Sequence, residues 1–127
     1  MDPYDNTDER IQASYQKYQK DPADPAHSLA IATLYEQREE YANSIPWLEH
    51  ALYLVRQRGD SVLEGRILDA QIRALKQDLA QFQAALDAEN APENRAQGHK
   101  SIDEKLDELN ALLKMQKGRG RDPDQSN

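Results

Sequence analysis

A chain of 127 residues that is 38% apolar and 31% charged, with one Trp and one Phe, has material for one domain around a thin core. Its net charge of -7 disfavours a general nucleic-acid or anionic-membrane surface, because an acidic protein is repelled by both within a Debye length. The absence of cysteine excludes a disulfide framework, a thiolate metal site and a cysteine nucleophile.

The opening MDPYDNTDER is acidic and polar, without the basic start or apolar core of a signal peptide. No later window approaches the roughly 18 apolar residues of a membrane span, so a cytoplasmic protein without a membrane anchor is expected. Asn6 or Thr7 can cap a first helix with Ile11, Tyr15 and Tyr18 on its buried stripe. DPADP at 21–25 ends that helix, because Pro22 and Pro25 each lack a backbone donor. Asp24 then caps a second helix that has Pro25 at its first position and carries Leu29, Ile31, Ala32, Leu34 and Tyr35.

A third helix is expected from about Tyr41 to Arg58, with Pro46 near its start, where a missing N–H does least harm. Gly59 suits a C-cap, and Ser61 with Glu64 has the spacing of a capping box. From there to about Ala88 one long helix presents Leu68, Ile72, Leu75, Leu79, Phe82 and Leu86 in alternating steps of four and three, the seam of a coiled coil. The polar stretch at about 88–100, with Pro92 and Gly98, reads as a loop. A last helix opens at Ser101, with Glu104 completing a capping box, and its seam is Ile102, Leu106, Leu109 and Leu113. The two long helices should fold back as an antiparallel hairpin, with Asp103, Glu104, Asp107 and Glu108 facing Arg66, Arg73 or Lys76. Meeting copies of themselves in a second chain is the rival arrangement for these seams. The run from 118 to 127 has no apolar residue and is expected to be a disordered tail.

Residues 25–58 resemble a tetratricopeptide repeat, counted over a repeat length of about 34 residues. Ala32 stands at the family's small position, Tyr35 at its first-helix tyrosine and Tyr41 at the aromatic that opens its second helix. Ser44, Leu48, Ala51 and Leu52 continue the match. Ser28 in a bulky aromatic's place, Glu39 in the turn glycine's place and Arg56 in the closing proline's place depart from it. The resemblance implies an all-α fold in which a TPR-like helical hairpin stack at 1–60 continues into a coiled-coil hairpin at 61–117. It makes Ala32, Ser44 and Ala51 close helix contacts and Tyr35, Tyr41 and Leu48 core. It also implies a partner groove at Leu29, Thr33, Glu36 and Gln37, with Leu29 as the apolar anchor. A single repeat cannot bury its own faces, so the first helix and the long helix from Ser61 must cover it.

Chemistry is not legible. His27, His50 and His99 are scattered and lack the spacing of a metal-binding helix face. Glu39 with Glu40, like Asp103 with Glu104, are neighbours rather than facing pairs. Without a phosphate loop or nucleophile elbow, no enzyme, cofactor, metal or small-molecule substrate is expected. The expected function is a protein interaction or scaffold module. The alternative is a self-assembly unit, a homo-oligomer or filament joined through its seams or open repeat edges. A third class, a nucleic-acid accessory protein using Lys114, Lys117, Arg119 and Arg121, is disfavoured by the net charge and by the lack of aromatic interleaving.

Overall fold

The computed structural model describes residues 6–119, with the side chain of Arg119 outside that description. The described residues form five α-helices and no strand: α1 (Thr7–Lys20), α2 (Pro25–Gln37), α3 (Tyr41–Arg58), α4 (Ser61–Asp87) and α5 (Pro92–Arg119). The fold is all-α. None of these helices is long and apolar enough to cross a membrane.

Local chemistry fixes the ends of the first elements. Asp24 caps α2 by accepting from the Ala26 N–H at 3.0 Å, and Pro25 opens the helix where its missing donor costs nothing. The α2–α3 turn closes with Glu39 at φ 60, the Glu40 N–H returning to the Tyr35 carbonyl at 3.0 Å. The α3–α4 turn repeats this arrangement with Gly59 at φ 71 and the Asp60 N–H on Val55. A glycine adopts that conformation freely, whereas Glu39 is strained by roughly 1 kcal/mol or more. Two expectations shift here. Asp60 rather than Ser61 caps α4, its carboxylate accepting from the Leu63 N–H at 3.0 Å. Pro46 lies in the second turn of α3, beyond the position where a missing N–H is harmless, but Ala42, whose carbonyl it would have met, is exposed to water.

Packing divides α4 into two faces. One face sends Ile67 against Ala51, Leu52 and Val55 of α3, and Ala74 against Ala32 and Leu48. The other sends Leu68, Ile72 and Leu75 against Leu109 and Leu112 of α5, with Ile45 of α3 and the half-buried Leu79, Leu113 and Met115 at the rim. Each fully buried aliphatic contributes about 1.5–3 kcal/mol.

Helices α4 and α5 run antiparallel, because Leu86 lies beside Gly98, Asp78 pairs with Lys105 at 2.7 Å, and Asp69 accepts from Gln116 at 2.6 Å. Several details differ from the sequence reading. The loop expected at 88–100 shrinks to 88–91, and α5 begins at Pro92 rather than Ser101. Pro92 has the fixed φ suited to a first turn, and the Glu89 carboxylate accepts from the N–H groups of Asn90 and Ala91 at 3.0 Å. Gly98 is a contact residue instead of a breaker: a Cβ there would sit 2.5 Å from a Leu86 methyl. The Ser101 hydroxyl donates back to the Gln97 carbonyl inside the helix. Leu106 is 42% exposed, whereas Leu112, outside the expected seam, is buried with Leu68, Ile72 and Leu75. Phe82 is half-buried under the Lys105 ammonium, 5.7 Å from its ring centre. Between α4 and α5, Lys105 of α5 pairs with Asp78 of α4, the reverse of the expected polarity, while Arg73 turns to Glu36 of α2. Gly118 continues α5, and residues 120–127, on which most of the expected tail falls, lie outside the described residues, as do Arg121 and the Arg119 side chain.

Candidate functional site

Helix α2 separates two surroundings. Ser28, Ile31, Ala32 and Leu34 are buried, whereas Thr33 and Gln37 are exposed. Of the four expected groove residues, the structure brings Thr33, Glu36 and Gln37 to a common surface and turns Leu29 away from it. Leu29 is half-buried and packs against both the Ala51–Ile67 cluster and the Ala32–Leu48 cluster, so it is no apolar anchor. The Thr33 hydroxyl donates to the Leu29 carbonyl of its own helix at 2.9 Å.

Two open concavities flank α2. The one toward α1, of about 420 Å³, is lined by Arg10, Ala13, Ser14 and Lys17 of α1 and by Ala30, Thr33, Leu34 and Gln37 of α2. The one toward α4, of about 340 Å³, is lined by Thr33, Glu36, Gln37, Tyr41, Arg73 and Gln77. Thr33 and Gln37, exposed on α2, line both, so the two concavities adjoin there as an open trough bordered by α1, α2 and α4. Glu36 and Arg73 bridge its α4 side at 2.9 Å. The hydrogen bond to Glu36 raises the pKa of Arg73, against the opposing effect of burial, so the guanidinium stays charged.

Arg10, Lys17 and Gln77 were not evident as lining residues from the sequence. The available signal is the polar stripe Arg10, Ser14, Lys17 at steps of four and three, which runs beside the half-buried packing of Ile11 and Tyr18. That packing is aromatic. Trp47 of α3 meets Tyr15 and Tyr18 edge-on at 6.1 and 5.1 Å between ring centres, and Tyr18 shares a 3.2 Å hydrogen bond with Nε2 of His50. His50 stacks on Tyr53, which is 59% exposed. This cluster docks α1 and thereby shapes the trough wall, although Tyr15 remains 38% exposed.

At the α1–α2 corner, Asp21, Asp24 and His27 place one ligand atom each within 4.8 Å of one another. Asp24 accepts the Ala26 N–H of its helix cap and lies 3.8 Å from His27, and the Arg58 guanidinium donates to the nearby Ala23 carbonyl at 3.1 Å.

No protein-family model, curated protein or solved structure matches the chain.

Proposed function

We propose that the chain is a non-catalytic protein interaction or scaffold module, TPR-like in architecture, whose trough beside α2 receives a segment of a partner protein. The two adjoining concavities, sharing the polar Thr33 and Gln37, carry this reading, since together they are bordered by three helices.

The repeat-like part of the reading is supported by residues that behave as such a hairpin requires. Ala32, Ser44 and Ala51 are all 0% exposed at the helix contacts. Glu39 adopts the left-handed conformation at the place where the family has its turn glycine. Tyr35 and Tyr41 depart from the pattern, being half-buried rather than core. Self-assembly through the seams finds less support, because Leu68, Ile72, Leu75, Leu109 and Leu112 pack against one another within one chain. The outer face of α5 carries exposed Asp103, Asp107, Asn110 and Lys114, a polar finish of the kind that terminates a helical stack.

Selection of random dodecapeptides on the intact chain, followed by rebinding to Thr33→Trp, tests the module. The reading expects peptides whose binding is lost when the indole fills the trough; peptides indifferent to Thr33→Trp would refute it.

A further inference from the structure

We infer that the trough takes an acidic, extended segment; this rests on the interaction-module reading and specifies its ligand. Three cations line the trough, Arg10 and Lys17 from α1 and Arg73 from α4. The carboxylate lining it, Glu36, is engaged by Arg73. Arg10 and Lys17 make no ion pair among the described residues, so no described carboxylate neutralises these two cations on one wall, in a chain of net charge -7. Remote carboxylates repel an acidic partner, but their field decays within about 8 Å at physiological salt, and the cations in contact with the ligand decide the outcome.

Spacing adds a constraint. Arg10 and Lys17 are two helical turns apart, about 10 Å along α1. A polyproline II chain advances about 3.1 Å per residue with three residues per turn, so acidic side chains three positions apart lie on one face at nearly the same interval. An apolar helix has no comparable seat, since Leu34 is 5% exposed and Leu29 is packed into the core. Ser14, Thr33 and Gln37 instead offer hydrogen bonds to a peptide backbone.

The test is fluorescence anisotropy on the intact chain, with a labelled peptide repeating Glu-Pro-Pro as the probe and its Gln-Pro-Pro counterpart as the neutral comparison. The acidic probe should bind, weaken as salt rises, and lose about tenfold or more in affinity with Arg10→Gln and Lys17→Gln combined. Lys114→Gln with Lys117→Gln, outside the trough, should leave binding unchanged. Circular dichroism verifies that each variant is folded. Equal binding of the neutral probe, absence of acidic binding, or unchanged affinity in the Arg10 and Lys17 variant overturns the inference. Selected peptides that depend on Thr33 yet carry no acid would overturn it while leaving the module intact; no Thr33-dependent peptide would remove both.

Discussion

The α2–α3 hairpin and the α4–α5 hairpin are both antiparallel helix pairs, yet they are held together in opposite ways. The first closes on small side chains: Ala32, Ser44 and Ala51 are fully buried, and Ala74 of α4 enters the same layer. The second closes on large ones, Leu68, Ile72, Leu75, Leu109 and Leu112, with the Leu86 side chain seated against Gly98. A pair built on small residues has no room to add volume, and a pair built on leucine has none to lose. The first is therefore suited to holding the backbone of α2 rigidly beneath the proposed binding surface, while the second closes the stack.

Removal of volume from the leucine seam should have the largest effect. Leu75→Ala is expected to cost about 2–5 kcal/mol in urea unfolding, whereas Leu106→Ala, on the same hairpin but exposed, should stay within about 0.5 kcal/mol. Equal losses at the two sites would mean that the seam is misassigned. Added volume in the small-residue layer comes next: Ala51→Leu should destabilise by about 1–3 kcal/mol, and a neutral result would contradict close packing of α3 against Ile67.

A smaller, stabilising change separates the two turns. Glu39→Gly should gain up to about 1 kcal/mol by relieving the left-handed strain, because the Gln81 side chain, which donates to the Glu39 carbonyl at 2.9 Å, holds the turn whichever residue occupies it. Loss of stability in that variant would show that the Glu39 side chain matters more than its backbone.

The smallest effect lies between α3 and α5. Partial burial, then the charge of Glu108 and a hydrogen bond with it, raise the pKa of Glu49 from its ordinary value. The folded state therefore holds this proton more tightly than the unfolded chain, and stability contributed by the protonated pair is lost as pH rises from the ordinary Glu value through the raised one. Glu49→Gln should flatten that slope and raise the melting temperature slightly at neutral pH, an effect within about 0.5 kcal/mol because solvent screens the pair. A steeper slope in the variant would reverse the assignment.

What the sequence disclosed follows from how local each signal is. Asp24, Pro25 and Gly59 act through their own backbone, and their roles were readable without tertiary knowledge. Pro92 and Gly98 were not, since proline marks a helix start as readily as a break, and glycine serves close approach as well as a turn. Leu112 is buried and Leu106 exposed, a difference that a strict two-helix seam does not anticipate where the α4–α5 cluster also takes in Ile45 of α3. The trough was half legible. Thr33, Glu36 and Gln37 came from the repeat resemblance, but Arg10 and Lys17 depend on which face of α1 the aromatic cluster turns inward, and that is settled only by packing with Trp47.

The central claim, that the leucine seams close within one chain and leave the trough for a different partner, is tested most directly by the solution mass at two protein concentrations, measured by light scattering after size exclusion. The account predicts about 14.5 kDa at both. A dimeric or concentration-dependent mass would contradict it and make assembly with a second copy the function of these helices.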